Sequence, residues 1–362
     1  MAGNFKFVGK VELNSLDSKI PPYREGTTSN KDPYASFNMS VVPEKSNRAY
    51  VEAFGVKRKE INTMDFDGNK ITINWDDRED PEVVKKVAYY KRYIIAMNGE
   101  RHEFISDYDY VQFLIANMET IKGKTFIVKG GVQPNVYNGK VSLRYNFSSM
   151  IETADVAPGM TVNYTFFYGA EDIDTADWAS KKTINVNAYT SQYFNKDTGN
   201  KYVATPFVID CSKADLDNPE IVKKLAFRLK QLGLELENGA INVRIKKKTI
   251  VSLPVECTYI NGNEEIPFDE SQLTENQKMA IELGISTIDE FKPKGNIYGT
   301  RVTLLKYRSN DMRSPYENGC KTEDITVDDF QDLIYKEAQT ETVKDLEKKA
   351  ESEEIDDAFL FS

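Results

Sequence analysis

A short motif occurs twice in this sequence, as Pro-Glu-Val-Val-Lys-Lys from Pro81 and as Pro-Glu-Ile-Val-Lys-Lys from Pro219. Both copies are typical of a helix start. Asp80 or Asn218 can cap the free N–H groups, proline fits the first helical position, and the glutamate lies beside the positive end of the helix dipole. Many helices begin in this way, so the pair alone is weak evidence of common ancestry.

Three further matches occur in the same order along the chain, and together they predict a tandem duplication of one domain. The alternative is chance similarity among strand-rich segments. Residues 151–160 lose the alternating pattern and contain Pro158-Gly159, so we place the domain boundary there and predict domains at 1–150 and 151–316. The matched pairs are Val51-x-Ala53-Phe54 with Val186-x-Ala188-Tyr189, Gly68-Asn69-Lys70 with Gly199-Asn200-Lys201, and Asn135-Val-Tyr137 plus Val141-Ser-Leu143 with Asn296-Ile-Tyr298 plus Val302-Thr-Leu304.

The negative charge of the chain is concentrated at its C-terminal end. The formal net charge is −10, and residues 317–362 carry 15 acidic and 5 basic side chains, which accounts for all of it. The totals of 57 and 47 leave 42 charges of each sign in residues 1–316. The body can therefore carry a basic groove, and the acidic C-terminal end is a separate feature.

Several classes of function lack their usual signals in this sequence. There is no run of 18 apolar residues and no apolar leader, so we expect a cytoplasmic protein, in the host cytoplasm if it is viral, with no membrane partner. The three cysteines are far apart, and a single histidine, His102, gives a zinc site or a His-based triad little to work with. With no nucleophile–base pair and no phosphate-binding loop, we expect no enzymatic activity, no metal and no cofactor.

The N-terminal part shows the alternation of half-buried strands. Phe5–Leu13 contains Gly9, where a strongly bent strand needs a glycine, and Ala35–Val42 places Phe37, Met39 and Val41 on one face. Later elements of this part are a strand at Tyr50–Lys57, a hairpin turning at Asp67-Gly68, a helix at about 82–97, a helix capped by Ser106 with Val111, Leu114, Ile115 and Met118 on one face, and strands at Thr125–Gly130 and Lys140–Phe147.

The series Phe7-Val-Gly-Lys-Val, Ala35-Ser-Phe-Asn-Met-Ser-Val and Val51-Glu-Ala-Phe-Gly-Val resembles the first three strands of the single-stranded DNA-binding protein family. The resemblance implies an oligonucleotide-binding (OB) barrel of five strands with a helix between the third and fourth. The expected fold is therefore mainly β, with two tandem OB-type five-stranded barrels, inserted helices and an acidic C-terminal tail. The extra helix before the fourth strand departs from the family pattern; it either closes the barrel end or covers the groove.

The second copy carries the pattern less clearly. It predicts strands at Thr161–Tyr168, Thr183–Tyr189, Lys201–Ile209, Ile241–Ile250 and Tyr298–Tyr307, a helix from Glu220 to about Leu232, and an insertion at about 254–293. Beyond it, Thr326 begins a helix whose Phe330, Leu333 and Ile334 can dock on the body, and residues after about 338 have the composition of a disordered segment.

The resemblance and the aromatic content favour a single strand of DNA as the partner, bound without strong sequence preference. Bases stack on aromatic faces while lysine and arginine follow the phosphates, so such a site needs rings and cations interleaved on one face. For each ring the competing interpretation is core packing, and we assign Trp75 to the core. The DNA-binding candidates are Tyr50, Phe54, Lys57, Arg58, Lys59, Lys129, Tyr137, Lys140 and Arg144 in the first copy, and Tyr189, Tyr193, Lys246, Lys247, Lys248, Tyr298, Arg301 and Lys306 in the second.

The last ten residues are similar to the acidic tip through which single-stranded DNA-binding proteins recruit other proteins. The resemblance implies that replication or recombination proteins bind Asp356, Asp357, Phe359, Leu360 and Phe361. The resemblance thus implies a protein of phage DNA replication, recombination and repair. Two alternatives are a viral structural protein built from β-domains and an OB-fold regulator that binds RNA.

Overall fold

A computed structural model describes residues 3–44, 47–137, 140–195, 198–263, 273–275, 278–279, 301–310 and 319–336. This part of the chain is mainly β-structure, as the sequence predicts, and most of its strands belong to one hydrogen-bonded network.

The first half contains strands separated by short helices. The helices are α1 Pro81–Lys86, α2 Asp107–Ala116 and α3 Met118–Ile121, with 3-10 turns at Trp75–Asp77 and Tyr89–Lys91. The strands are β1 Asn4–Glu12, β2 Tyr23–Thr27, β3 Pro33–Glu44, β4 Asn47–Val56, β5 Glu60–Met64, β6 Lys70–Asn74, β7 Tyr93–Met97, β8 Glu100–Phe104, β9 Thr125–Tyr137 and β10 Lys140–Glu152.

The second half likewise consists of strands separated by short helices. Its helices are α4 Trp178–Lys181, α5 Pro219–Gln231 and α6 Val327–Leu333, with a 3-10 turn at Ala170–Asp172. Its strands are β11 Gly159–Gly169, β12 Ile173–Asp174, β13 Thr183–Val186, β14 Tyr189–Asn195, β15 Gly199–Ala204, β16 Phe207–Asp210, β17 Leu234–Glu237, β18 Ala240–Val243, β19 Ile250–Asn263, β20 Arg301–Asn310 and β21 Lys321–Thr322.

Strand pairing follows the same cyclic order in both halves. In the first, β1 pairs with β3, β3 with β4, β4 with β10, β10 with β9, and β9 with β1. In the second, β11 pairs with β14. Strands β13 and β14 follow each other along one edge and pair with β16 and β15, respectively. Strand β16 then pairs with β20, β20 with β19, and β19 with β11. The pairs β4–β10 and β16–β20 are parallel and the others antiparallel.

The two halves are joined through their first strands. Antiparallel pairing of β1 with β11 places Phe5 opposite Val162 and Phe7 opposite Met160. Beyond this contact β1 changes partner and pairs with β3 from Lys10 onward. Gly9 lies at the change, where a Cβ atom would be 2.6 Å from the backbone of Val42 and Pro43. The bend predicted at Gly9 therefore allows one strand to serve both halves.

Helix α2 packs against β3 and β4. The Ser106 hydroxyl accepts a hydrogen bond from the Asp109 amide at 3.2 Å, so the predicted cap is confirmed. Tyr110, Val111 and Leu114 are buried, and a Cβ atom at Gly55 would lie 2.4 Å from the Tyr108 nitrogen. This close approach places the start of the helix directly on β4, which is what the interpretation as a packed helix requires.

Two segments of the first half differ from the prediction. The helix expected at 82–97 ends at Lys86, and residues 93–97 form β7, which pairs with both β8 and β10. Ile94 and Ile95 are β-branched, so tertiary pairing as a strand is stronger here than the helix start signal. Trp75, assigned to the core, is instead only partly buried: it lies after the end of β6 in a 3-10 turn, with its ring against Tyr108, Lys57 and Arg78.

The second half also corrects the prediction. The strand expected at Ile241–Ile250 is two strands, because β18 ends at Val243 and a turn with Lys248 in the left-handed region (φ 64°) precedes β19. Residues 254–263, assigned to an insertion, lie in β19, where pairing with both β11 and β20 extends the strand. The remainder of that insertion is mostly outside the described residues.

Only some of the repeat matches lie on equivalent elements of the two halves. The Pro81 and Pro219 helices both follow the third strand of their cycle, and Val141 and Val302 both begin the last strand. In contrast, Val51 lies on a third strand and Val186 on a second strand, and the turn at Gly68 belongs to the separate β5–β6 sheet. These two matches therefore do not align equivalent strands, and common ancestry remains a prediction that rests on the shared pairing order.

Candidate nucleic-acid interface

The outer face of β4 carries the first group of predicted site residues. The strand alternates, with Ala49, Val51 and Ala53 buried and the residues between them directed away from the core. Tyr50 is 46% exposed and Phe54 is 50% exposed. Because side chains alternate across a strand, the same pattern that builds the core places these two rings on one open face.

A groove of about 320 Å³ lies on this face. Its floor is formed by β3, β4 and β10, and one wall is the loop between β1 and β2. The lining residues are Asn14, Ile20, Arg24, Ser36, Asn38, Met39, Tyr50, Val51, Glu52, Leu143, Arg144 and Tyr145.

Hydrogen bonds hold the loop wall in place. The backbone N–H and the side-chain amide of Asn38 donate to the carbonyls of Pro22 at 2.7 Å and Pro21 at 3.2 Å. The Arg24 guanidinium donates to the Lys19 carbonyl at 2.6 Å, and the Asn14 amide donates to the Ile20 carbonyl at 2.9 Å. The groove is therefore preformed, with exposed Ile20 on its wall.

Cations lie within the groove and on strands outside it. Arg144 of β10 contacts Glu52 of β4 at 3.2 Å, which partly neutralises it, and Arg24 stands on the loop side. Lys129 of β9 is exposed and lies opposite exposed Lys6 of β1. Like charges on directly opposed residues repel each other, and an anion that binds between them relieves that repulsion.

The Lys57–Lys59 run follows the end of β4 and is exposed. The Lys57 ammonium lies 5.4 Å from the Trp75 ring centre, and the Arg78 guanidinium lies 4.2 Å from it on a cation–π contact. Burial raises the pKa of Asp107, and the nearby positive charge of Arg58 opposes this rise. The three predicted cations are thus exposed, but Lys57 and Arg58 already have partners within the chain.

The second half presents its predicted rings differently. Tyr193 is exposed, whereas Tyr189 is half-buried with its ring 5.5 Å from Phe330. Lys306 lies 2.9 Å from Asp210; although partial burial opposes the shift, hydrogen bonds from Lys306 and Ser212 lower the pKa of that carboxyl to about 2. Lys246, Lys247 and Lys248 are exposed in the turn between β18 and β19.

Some predicted residues cannot be placed on a face. Tyr298 and the tail residues Asp356, Asp357, Phe359, Leu360 and Phe361 lie outside the described residues. Tyr137, Lys140 and Arg301 lie on strands, but only their backbone is described.

The structure adds residues that sequence reasoning missed. Tyr34 lies on the outer face of β3 with its ring 5.7 Å from Phe54, and extending the alternation of Ser36, Asn38 and Ser40 by two residues finds it. Arg24 and Ile20 belong to residues 14–34, which are rich in Ser, Pro, Asn and Lys and are interpreted from the sequence as a loop, so no periodic signal marks them. A second exposed ring cluster, Phe66 with Tyr89 at 5.1 Å, lies at the β5–β6 hairpin.

The described residues contain no group of three or more His, Cys, Asp or Glu side chains arranged to hold a metal ion. No helix in that same part of the chain is long and apolar enough to cross a membrane.

Comparison with known proteins gives the following findings. No protein-family model matches the chain, and no curated protein matches its sequence. Among solved structures, the chain is similar to the wild-type single-stranded DNA-binding protein from Thermus aquaticus, with a TM-score of 0.28, 8% identity and coverage of 76% of this chain and 97% of that one. A deletion mutant of the same protein gives a TM-score of 0.29, 8% identity and coverage of 72% and 87%.

Proposed function

We propose that this chain binds and protects single-stranded DNA without strong sequence preference. The observation that carries the proposal is the outer face of β3, β4 and β10, where exposed Tyr50 lines the groove with Arg24 and Arg144, and exposed Phe54 lies further along the same face of β4. Rings that accept a base face, with cations beside them for phosphates, are the two components of a sequence-tolerant site for a single strand.

The arrangement favours unpaired over paired DNA. In a duplex, each base face is covered by its neighbours in the stack, so Tyr50 and Phe54 have nothing to stack on. An unpaired strand offers its base faces, and each stacked base contributes about 1–3 kcal/mol. The rings therefore supply the preference for single strands, and the cations supply affinity that falls as salt rises.

We also propose that each half is an OB-type five-stranded domain, within residues 1–150 and 151–316. The cyclic pairing order, and the position of a helix between the third and fourth strands of each cycle, support this assignment. In this proposal the protein acts in phage DNA replication, recombination and repair in the host cytoplasm, and the acidic tail, residues 317–362, recruits replication or recombination proteins.

Binding of a fluorescent oligo-dT of about 30 nucleotides, measured over a salt series, tests the proposal. We expect affinity that falls steeply with salt, and competition by unlabelled oligo-dT but not by duplex of equal length. Oligo-rU of the same length, run in parallel, tests whether the site prefers DNA or RNA.

The doubly substituted Tyr50→Ala, Phe54→Ala variant should lose at least roughly tenfold in affinity, because two stacking surfaces are removed. Phe227→Ala is the matched control, since Phe227 is 65% exposed on α5, outside the groove. Absence of binding at low salt, or equal losses in both variants, contradicts the proposal.

A further inference from the structure

The two halves differ at the face that forms the groove in the first half. The equivalent face of the second half is the outer side of β14 and β15, which occupy the second and third positions of their cycle. It carries a comparable set of rings, with Tyr189 opposite Ala204, Ser191 opposite Tyr202, and Tyr193 opposite Asn200. Phe167 of the neighbouring strand β11 adds a ring 4.9 Å from Tyr202.

This aromatic face is occupied by the chain's own residues 323–336. Phe330 of α6 is only 1% exposed, with its ring 4.4 Å from Tyr202 and 5.5 Å from Tyr189. Tyr335 stacks on Phe194 with ring centres 4.8 Å apart and planes 4° from parallel. The Tyr335 amide also donates to the Tyr202 carbonyl at 2.8 Å.

The contacts that hold this segment are those that a nucleic-acid base would make. Residues 323–336 carry five carboxylates and one lysine. Among the described residues, however, Asp328, Asp329 and Asp332 form no ion pair with the body, and the side-chain contact from Lys201 is to the Asp332 carbonyl. Ring packing and the Tyr335 amide therefore hold the α6 end of the segment, and at its other end Glu323 donates its amide to the Ile250 carbonyl and accepts from the Ser252 hydroxyl. The exposed carboxylates of α6 form no such contacts with the body in the described part of the chain, and they place negative charge where a phosphate backbone would run.

We propose that the aromatic face of β14 and β15 is a second stacking site for single-stranded DNA, and that residues 323–336 are a displaceable cover over it. This inference rests on the proposed function. A short strand fills the open groove of the first half. A long strand reaches the second face and competes with Phe330 and Tyr335 for the rings beneath.

The test compares Phe330→Ala with Leu333→Ala in the full chain. Leu333 is on the same helix but 37% exposed, so its removal leaves the ring contacts in place. We expect Phe330→Ala to tighten binding of an oligo-dT of about 30 nucleotides by roughly tenfold, since one base-stacking surface becomes free, and to leave an oligo of about 8 nucleotides unchanged. Leu333→Ala should behave as wild type with both strands.

Adding Tyr202→Ala to Phe330→Ala should remove the gain, because the newly exposed ring is then absent. The proposal that residues 323–336 cover a stacking site is refuted if Phe330→Ala, with an unchanged circular dichroism spectrum, binds the long strand as wild type does. It is also refuted if the gain in affinity persists when Tyr202→Ala is added. Binding of the short strand by wild type reports the first-half groove separately, so its failure signals that the proposed function itself is wrong.

Hydrogen exchange on the wild-type chain tests the same point without a substitution. Saturating long oligo-dT should speed exchange of the amides in residues 323–336, whereas the short strand should leave them unchanged. Slower or unchanged exchange with the long strand overturns the proposal, even if the Phe330→Ala variant does not fold.

Discussion

Arg144 of β10 and Glu52 of β4 lie 3.2 Å apart across a parallel strand pair in the floor of the groove. Both side chains are partly exposed, so the pair contributes little to folding stability. Its larger effect falls on an anionic ligand, because Glu52 repels a phosphate and holds the guanidinium that would bind it.

Glu52→Gln should therefore tighten oligo-dT binding at low salt, by roughly two- to fivefold. Arg144→Ala should weaken binding and reduce the slope of log affinity against log salt by about 1, as the loss of one phosphate contact does. Affinities measured by fluorescence anisotropy at four salt concentrations check both. Weaker oligo-dT binding by the Glu52→Gln variant would show that the carboxylate positions Arg144 for binding.

Two buried tyrosines allow a matched test of the core. The Tyr110 hydroxyl has no hydrogen-bond partner in the described part of the chain, whereas the Tyr168 hydroxyl donates to the Leu232 carbonyl at 3.2 Å. Tyr110→Phe should leave the free energy of unfolding unchanged or raise it, because only an unsatisfied polar group is removed. Tyr168→Phe should lower it by about 1 kcal/mol.

Urea denaturation followed by circular dichroism measures both differences. Each variant keeps its ring, including the stacking of residue 110 on Tyr93 at 5.4 Å, so packing is nearly constant in the comparison. Equal destabilisation by the two substitutions would mean that Tyr110 has a partner, such as a buried water.

The sequence was most informative where one strand has a clear inside and outside. Alternation along β4 separates Val51 and Ala53 from Tyr50 and Phe54, and the structure shows which of the two faces is open. The sequence alone named the two rings as candidates but left core packing as the alternative. The helix starts at Pro81 and Pro219 are also where the motif predicts, because a cap is a local interaction.

Features that depend on distant parts of the chain were missed. Phase with Ile71 and Ile73 put Trp75 in the core, but β6 ends before it. Tyr189 is on the outer face as its alternation indicates, yet its cover comes from Phe330, far along the chain. Groove residue Ile20 lies in the loop before β2, and Arg24 lies on the short strand β2; tertiary hydrogen bonds hold both in place.

Acid stability should depend on the ion pair between Asp210 and Lys306. The pKa of Asp210 is lowered to about 2 in the folded chain, from an ordinary value near 3.8. Ionised Asp210 therefore stabilises the fold above about pH 4, and this stabilisation is lost as the pH falls towards 2. Because the pair is partly solvated, we expect about 1 kcal/mol.

Asp210→Asn should lower the melting temperature at pH 6, and the difference in melting temperature between variant and wild type should shrink as the pH approaches 2. The control is Asp217→Asn, which changes an exposed carboxylate seven residues further along the chain. Melting temperatures at intervals of half a pH unit measure this. A constant difference across the range would show that Asp210 acts through its hydrogen bonds to Ser212 and not through its charge.

The last prediction concerns residues 353–362, where acidic residues precede Phe359, Leu360 and Phe361. In the proposed role, Asp356 and Asp357 meet a basic rim on a partner protein and the apolar residues fill a pocket, which supplies most of the binding energy. Deleting these ten residues should abolish co-purification of replication or recombination proteins. It should leave DNA affinity unchanged or tighter at low salt, because the tail competes with DNA for the same cations.

Replacing Phe359, Leu360 and Phe361 with serine, with the acids retained, is the control and should abolish partner binding alone. Neither change should reproduce the strand-length dependence of the Phe330→Ala effect, a gain with the long strand alone, since the tip is distinct from residues 323–336. A truncated chain that loses DNA binding but keeps its partners contradicts the assignment.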